Sequence, residues 1–296
     1  MRLPDINKQK KYLLAVSGGV DSMVMCDLFL KTGIVFGVAH CNFKLRGEES
    51  DGDELLVKNW CETNSIPFFV EQFETKNYAA DHRISVQVAA RNLRYTFFYQ
   101  ILEAEHYDVI ATAHHQDDNI ETVLFHFFRG TGIQGMTGIP FQHDRILRPL
   151  LHLSKSNILA YAEKQQILFR NDSSNQQSDY TRNKMRNEII PQLQEMFPAF
   201  KNNIAENIER LKAVHDLYTQ QIEQFRRQLT ELRGKDWFIP ILKLKKVQPL
   251  ATILYEIIKP FHFNYDQSLQ VLNMLDSASG HRVENDQFII LKDRTF

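Results

Sequence analysis

The first half of the chain alternates short apolar segments with longer helix-like ones, and this alternation restricts the possible folds more than any other feature. Short apolar runs that end in turn signals are typical of buried parallel strands. Four are present, at residues 12–16, 34–41, 67–73 and 108–113. Helix-like segments occupy residues 21–31, 51–64, 85–106 and 117–129. Strands separated by helices of this length indicate βαβ units. We therefore predict an α/β fold with a doubly wound parallel sheet, whose ligands bind at the carboxyl ends of the strands.

The pattern changes beyond Pro198, where one long helix is predicted over about residues 200–233. Its apolar positions step alternately by four and three residues, which is typical of a heptad seam that packs against a neighbour. The seam consists of Ile204, Ile208, Leu211, His215, Tyr218, Ile222, Phe225, Leu229 and Leu232. Gly234 is expected to end this helix, and a hairpin with its turn near Asn285 is expected at the end of the chain. We predict an α/β domain at residues 1–190 and a smaller, mainly helical domain at residues 191–296.

The composition excludes several classes of protein. Of the 296 residues, 43% are hydrophobic and 24% are charged, as in a globular protein and not a disordered or fibrous one. No apolar run approaches the roughly 18 residues of a membrane span, and the first one is shorter than the ~7–15 residues of a secretory signal. We therefore expect a cytoplasmic protein with no membrane partner. Cys26, Cys41 and Cys61 lack CxxC spacing, so they predict neither a disulfide framework nor a four-ligand zinc site.

Charge alone does not decide whether the protein binds nucleic acid. The formal net charge is −1, whereas nucleic-acid-binding domains often carry a strong basic surplus. Residues 181–249 contain 13 Lys and Arg against 8 Asp and Glu. A solvated helical face and a phosphate-binding stripe both explain this local excess.

The most informative short segment is Ser-Gly-Gly-Val-Asp-Ser at residues 17–22. It lies where a predicted strand ends and a helix begins, and there the backbone N–H groups and the positive end of the helix attract phosphate. Glycines let the backbone approach an anion closely. Ser17 and Ser22 add hydroxyl donors, and Asp21 is expected to orient the loop or hold Mg²⁺. No lysine follows the glycines, so this is not the phosphate loop of ordinary NTPases. A plain strand–turn–helix connection also explains the segment when it is taken alone.

Several segments together resemble known families. The segment at 17–22 resembles the pyrophosphate-binding loop of the ATP-pyrophosphatase (PP-loop) superfamily. Three further segments, in this order, resemble the tRNA(Ile)-lysidine synthetase family: HCNFKLRGEES at 40–50, ARNLRY at 90–95, and TAHHQDDNIET at 112–122 with RGTG at 129–132. RPLL at 148–151 and YTRNKMR at 180–186 extend the resemblance, which covers roughly residues 10–190. One departure is Asn171, where the family usually has another acid before Asp172.

The resemblance implies a two-step reaction. The C2 oxygen of the wobble cytidine of tRNA(Ile) with a CAU anticodon attacks ATP, which is bound with Mg²⁺, and pyrophosphate leaves. The amino group of L-lysine then displaces AMP and gives lysidine, so the implied enzyme is a ligase that forms a carbon–nitrogen bond. A tRNA thiolase of the same superfamily and a non-catalytic RNA-binding relative are the alternatives. The helical region is implied to contact tRNA or to form a homodimer.

The residues within these segments allow a candidate site to be assigned. Asp117, Asp118 and Glu121 are three and four positions apart, so in a helix their carboxylates lie on adjoining faces near its N-terminus. Such acids bind Mg²⁺ through oxygen or hold the ammonium group of L-lysine; surface N-capping is the alternative for an isolated cluster. We assign metal or lysine binding to Asp21 and Asp117, with Glu121 as a second candidate.

Other site residues follow from the same resemblance. Ser17, Gly18, Gly19, Val20, Asp21 and Ser22 are assigned to ATP, as are Arg94 and His40, although structural packing explains His40 equally well. Arg91 and Arg94 are expected to contact the nucleotide or its activated form. Arginine suits phosphate because its planar fork donates two hydrogen bonds. The remaining substrate-binding candidates are Asp118, His114, Arg46, Arg129, Arg182 and Arg186.

Overall fold

The computed structural model describes residues 1–170 and 181–296, without the side chains of residues 181 and 182. Asn171, the departure from the family pattern, and Asp172 therefore lie outside the described residues, and so does the side chain of Arg182. The chain divides into two compact units, Met1–Glu209 and Arg210–Phe296.

The first unit is built on a six-stranded, mostly parallel sheet, which confirms the predicted fold class. The strands are β1 Tyr12–Ala15, β2 Phe36–Asn42, β3 Phe68–Gln72, β4 Val109–Thr112, β5 Gln142–His143 and β6 Ile146–Leu147, in the spatial order β3-β2-β1-β4-β6-β5. Tyr12 of β1 is in register with Phe36 of β2 on one side and Val109 of β4 on the other. Only β5 runs antiparallel, at the edge. The loops after β1 and β4 therefore meet near the middle of the same sheet edge.

Helices lie between these strands and after the last of them, β6. They are α1 Val20–Thr32, α2 Glu48–Asn64, α3 Thr75–Asp81, α4 Val86–Ala104, α5 Gln116–Arg129, α6 Ile133–Met136, α7 Lys155–Lys164, α8 Thr181–Lys184, α9 Ile190–Met196 and the start of α10 Phe200–Leu229. A π-helical turn, Met185–Ile189, separates α8 from α9. Gln116, the first residue of α5, donates its N–H to the Leu153 carbonyl just before α7, so the beginnings of these two helices are held together.

Both faces of the central strands β1, β2 and β4 are buried, as expected for parallel strands covered by helices. Side chains alternate along a strand, so Leu13 and Leu14 of β1 point to opposite faces. Leu13 packs in a cluster with Phe98 of α4, and Leu14 packs in a separate cluster with Phe29 of α1. Burying a side chain of this size stabilises the fold by about 1.5–3 kcal/mol. The central strand is thereby fixed, and so is the position at which it ends.

The second unit contains the rest of α10 and a small helical core. Its other elements are β7 Glu231–Arg233, β8 Asp236–Phe238, α11 Ile241–Leu244, α12 Leu250–Ile258, α13 Tyr265–Met274, β9 Arg282–Glu284 and β10 Ile289–Leu291. Ile222 and Leu229 of α10 pack with Ile257 of α12 in one buried cluster. The antiparallel pair β9–β10 has Asn285 at its turn, where a hairpin was predicted.

The prediction that the long helix continues to about residue 233 and ends at Gly234 is wrong. α10 ends at Leu229, and the next residues form the β7–β8 hairpin, with Gly234 at a φ of +65° in its turn. Leu232, which we assigned to the heptad seam, lies in β7 with 58% of its surface exposed. A glycine with positive φ suits a two-residue hairpin turn as well as a helix C-terminus, and the sequence pattern does not separate the two. Among the described helices, none is long and apolar enough to cross a membrane.

Candidate functional site

The loop between β1 and α1 has a backbone suited to an anion. Gly18 has a φ of +87°, which a residue with a side chain rarely adopts. The Ser17 hydroxyl accepts the Gly19 N–H at 3.3 Å, and the Ser22 hydroxyl donates to the Gly19 carbonyl at 2.9 Å. No described side chain caps α1, which begins at Val20. The first N–H groups of a helix have no partner within it, so α1 presents free donors and its positive end to the space beyond the loop.

His40 holds the start of this loop through a hydrogen bond to the backbone. Its ring is 3% exposed, and its Nδ1 lies 2.8 Å from the carbonyl oxygen of Val16, the residue before the loop. Burial lowers the pKa of His40, against the opposing effect of that backbone hydrogen bond. A neutral ring with a proton on Nδ1 donates to Val16. The structure thus places His40, a predicted ATP contact, where it fixes the point at which β1 leaves the sheet.

A buried carboxylate, Asp53, braces the loop from the side. It accepts hydrogen bonds from Arg46 Nη2 at 2.8 Å and from Arg170 Nε at 2.9 Å. The Arg170 backbone N–H donates to the Gly18 carbonyl at 3.0 Å. A Cβ on Gly18 would lie 3.4 Å from Asp53. Arg46 was predicted, whereas Asp53 and Arg170 were missed; an acid three positions beyond a matched segment was the available signal for Asp53.

The two predicted carboxylates Asp21 and Asp117 lie near each other through a shared partner, Lys155. The Lys155 ammonium donates to both oxygens of Asp21, at 2.6 and 2.8 Å, and its backbone N–H donates to Asp117 Oδ2 at 2.8 Å. Asp117 Oδ1 accepts a hydrogen bond from the Lys201 ammonium. Sequence reasoning missed both lysines. Burial raises the pKa of Asp117, but the hydrogen bonds from Lys201 and Lys155 outweigh it and leave that pKa below its usual value. Asp117 is therefore ionised at neutral pH.

His115 lies among three carboxylates. Its Nε2 is 3.7 Å from Asp21 Oδ1 and 3.5 Å from Asp118 Oδ2, and its Nδ1 is 3.9 Å from Asp117 Oδ2. The ring is 6% exposed, and its Nδ1 has no hydrogen-bond partner within the described part of the chain. His115 thus links the loop after β1 to the N-terminus of α5. Its neighbour His114 was predicted to bind substrate. His114 Nδ1 instead lies 2.9 Å from the Thr112 hydroxyl.

Arg186 neutralises the other two acids of α5. Its Nε and Nη2 donate to the two oxygens of Glu121 at 2.6 and 2.8 Å, and Nη2 also donates to Asp118 Oδ1 at 2.8 Å. Burial lowers the pKa of Arg186, but Glu121 and Asp118 raise it further, so the net shift is upward. Glu121 is only 2% exposed. This fork fixes both carboxylates on one side of α5.

Three predicted arginines lie away from this network. Arg91 and Arg94 are exposed on α4, where their guanidinium groups stack over Tyr95 at 5.0 Å and Phe43 at 5.2 Å. Arg129 ends α5, opposite the acids, and stacks over Phe125. None of the contacts described for these three arginines joins them to the loop or to the carboxylates. They lie instead on surfaces that a large substrate could reach.

The residues fit a metal that is shared with a phosphate ligand better than a site of protein ligands alone. In the described ranges, no group of three or more His, Cys, Asp and Glu side chains is arranged to hold a metal ion. Mg²⁺ commonly binds one or two carboxylates together with substrate phosphates. Asp21, the second residue of α1, is positioned for that arrangement beside the uncapped helix end.

Comparisons with known proteins divide the chain into two matched regions. The PP-loop domain family matches residues 2–193. The family described as the TilS substrate binding domain matches residues 231–296.

Individual relatives match over nearly the whole chain. The tRNA(Ile)-lysidine synthase of Bacteroides thetaiotaomicron is 37% identical over 99% of this chain and 67% of its own length. That of Parabacteroides distasonis is 36% identical over 98% of this chain and 66% of its own length. That of Chlorobaculum tepidum is 41% identical over 92% of this chain and 85% of its own length. The chain thus spans about two thirds of the length of the first two relatives.

A solved structure shows the same fold. The U34-tRNA thiolase NcsA from Methanococcus maripaludis, with its [4Fe-4S] cluster, superposes with a TM-score of 0.55 at 20% identity. The match covers 68% of this chain and 72% of the thiolase chain. At this identity the likeness extends to the fold alone.

Proposed function

The chain belongs to the tRNA(Ile)-lysidine synthase family, and from this premise we propose that it ligates L-lysine to C2 of the wobble cytidine of tRNA(Ile) with a CAU anticodon. The reaction consumes ATP and gives lysidine, AMP and pyrophosphate. The observation that carries the proposal is the meeting of two features at one sheet edge: an uncapped, glycine-containing loop after β1 and a carboxylate cluster at the start of α5. Lys155 contacts both.

The loop accounts for the first step. The N–H groups at the start of α1 and the hydroxyls of Ser17 and Ser22 are proposed to bind the pyrophosphate part of ATP, with Gly18 and Gly19 allowing close approach. Attack by the cytidine C2 oxygen on the α-phosphorus forms an O–P bond and expels pyrophosphate. Mg²⁺, when bound at Asp21, supplies charge neutralisation for the phosphates. These residues therefore position ATP and stabilise charge, and they form no bond themselves.

The carboxylates account for the second step. The ammonium group of L-lysine first loses a proton to solvent, and the resulting amine nitrogen attacks C2. The C2–O bond breaks with its electron pair leaving on AMP, and the nitrogen loses a second proton. An ammonium group is attracted to an ionised carboxylate, and Asp117 is held ionised by its two lysine contacts. We propose that Asp117 binds the amine of L-lysine. Glu121 and Asp118 support this position through Arg186.

The remaining predicted residues are proposed to act on the RNA and nucleotide. Arg91 and Arg94 expose cationic, stacked guanidinium groups on α4, which suit a tRNA phosphate or the adenylated base. Arg129 and Arg182 are proposed for the tRNA backbone, and Arg46 for the support of the phosphate loop through Asp53. We propose that residues 1–190 form the catalytic region and that residues 191–296 contact tRNA or form a dimer. We also propose a cytoplasmic location.

The thiolase alternative is not favoured. Cys26 and Cys61 are fully buried, and burial raises the pKa of Cys61 to about 12. Burial likewise raises the pKa of Cys41 to about 12. A thiol of this kind is not ionised at neutral pH, and the thiolate is the reactive form. Burial thus disfavours the reactive thiolate form of these cysteines.

The proposal is tested by incubating the protein with ATP, Mg²⁺, radiolabelled L-lysine and an unmodified tRNA(Ile) transcript with a CAU anticodon. We expect label to enter this transcript and not a matched transcript in which the wobble cytidine is replaced. Release of pyrophosphate without label in the transcript would show that the protein does not transfer L-lysine. If neither pyrophosphate nor labelled transcript is formed, the enzyme assignment is wrong and an RNA-binding protein is favoured.

A further inference from the structure

Asp117 presents one oxygen to an ammonium group in a fixed direction. Its Oδ2 is held by the Lys155 backbone N–H at 2.8 Å, which prevents the carboxylate from turning. Its Oδ1 faces the Lys201 ammonium. The side chain of Asp117 is 12% exposed, so water does not replace a partner there easily. The structure therefore contains a position, at Asp117 Oδ1, that a primary ammonium group fits.

Lys201 is attached to this position loosely enough to leave it. It is the second residue of α10, its side chain is 34% exposed, and Asp117 is the partner of its ammonium among the described contacts. A lysine side chain has four flexible carbons and can carry its ammonium into water at little cost. Asp117, by contrast, is fixed by α5 and by the backbone of α7. Exchange at this position therefore moves the lysine side chain and leaves the carboxylate in place.

The chemistry of the position favours an ammonium over a divalent cation. A metal ion there would need further oxygen ligands, and the part of the chain that the structure describes contains no group of three or more His, Cys, Asp and Glu side chains arranged to hold one. The buried Nδ1 of His115, which has no described partner, lies 3.9 Å from Asp117. It supplies a polar neighbour to a bound amine. L-lysine, the amine substrate of the proposed reaction, carries the same ammonium group as Lys201.

We propose that Lys201 is an internal competitor of the substrate: its ammonium occupies the position at Asp117 that the ammonium of free L-lysine takes, and substrate binding displaces it. This inference rests on the proposed function. Lys201 acts through Asp117 and is a specificity-determining residue with no part in bond formation. It weakens the binding of L-lysine and keeps the carboxylate neutralised between turnovers.

The test compares three substitutions: Lys201→Met, Lys201→Arg and Lys164→Met. The last removes an equal charge from the exposed final turn of α7, nine residues from Lys155, and serves as the matched control. Equilibrium dialysis with radiolabelled L-lysine measures binding to the full chain without turnover. We expect Lys201→Met to bind L-lysine roughly two- to fivefold more tightly, the range for loss of a partly exposed ion pair. Lys201→Arg, which keeps a cation, and Lys164→Met should bind as the unaltered protein does.

Two kinetic measurements separate this proposal from its alternatives. In lysidine formation, Lys201→Met should lower the KM for L-lysine and leave the ATP and Mg²⁺ half-saturation concentrations of pyrophosphate release unchanged. Unchanged or weaker L-lysine binding by Lys201→Met would overturn the proposal, as would a shift confined to ATP or Mg²⁺. If the unaltered protein neither binds nor incorporates L-lysine, the proposed function itself fails. If it incorporates L-lysine normally but Lys201→Met shows no gain, only the competitor role fails.

Discussion

Replacing Gly18 by alanine tests whether the backbone conformation of the phosphate loop matters for ATP binding apart from its effect on stability. Gly18 has a φ of +87°, and an added Cβ would lie 3.4 Å from Asp53, an ordinary contact distance. The cost therefore comes from the backbone and not from a clash, and a side chain at positive φ costs roughly 1–2 kcal/mol. Gly33 at the end of α1 is a matched control, because its φ is +70° and an added Cβ meets nothing within 4 Å.

Both alanine variants should lose similar stability, but only one should lose affinity for ATP. For a unit of this size, the backbone cost corresponds to a fall in Tm of roughly 2–8 °C. Relief of the strain at residue 18 would turn the loop amides away from the phosphates. Loss of one charge-assisted hydrogen bond, worth about 1.5–3 kcal/mol, raises the ATP half-saturation concentration roughly 10- to 150-fold. Gly33→Ala should leave it unchanged.

The assays are thermal unfolding followed by circular dichroism and pyrophosphate release as a function of ATP concentration. Equal ATP half-saturation concentrations for Gly18→Ala and Gly33→Ala would show that the conformation at Gly18 is irrelevant to phosphate binding. A much larger loss of Tm for Gly18→Ala alone would show that the contact with Asp53, and not the φ angle, dominates.

Three further predictions concern the acids of the site. Asp117→Asn should abolish lysine transfer, measured with labelled L-lysine, and persistence of both transfer and pyrophosphate release would deny it a role. Because the folded-state pKa of Asp117 is lowered, its stabilising contribution is present above its unfolded pKa of about 3.9 and is lost as pH falls through the folded value. Urea unfolding between about pH 2 and 5 should therefore show a weaker acid dependence for Lys201→Met, and parallel curves would contradict the lowered pKa. Asp53→Asn should lower the free energy of unfolding by about 1–2 kcal/mol, because Arg46 and Arg170 lose their shared carboxylate. It should also raise the ATP half-saturation concentration. An unchanged ATP response would show that Asp53 does not support the loop.

The parts of the fold that follow from local pattern could be predicted from the sequence. The strands β1 to β4 and their helices each carry their own periodicity, so their alternation along the chain and the parallel sheet were predicted correctly. The end of α10 was not, because Gly234 is compatible with both a helix terminus and a hairpin turn, and packing decided between them. The two-residue strands β5 and β6 are too short to carry a period.

The candidate site shows the same division. Residues 17–22 and the acids of α5 lie in continuous segments whose position at strand ends is visible in the sequence. Lys155, Arg170 and Lys201 contact these segments from 38 to 152 positions away, and lysine or arginine at such positions resembles any solvated surface residue. Their placement depends on the tertiary fold. The sequence therefore predicts the acids of residues 17–22 and of α5 and two of the site's arginines, Arg46 and Arg186, but not Lys155, Arg170 or Lys201.

The position of β1 between β2 and β4 affects the order in which parts of the chain fold. β2 follows β1 after one helix, but the pairing with β4 joins segments about a hundred residues apart; the bond from Lys11 N–H to Asp108 spans 97 positions. Pairings between distant segments form late, because closing a long loop costs chain entropy first. The glycine loop can therefore take shape on the ribosome well before the acids of α5 reach it. A chain folded only as far as β2 therefore has the glycine loop without the carboxylates of α5 beside it.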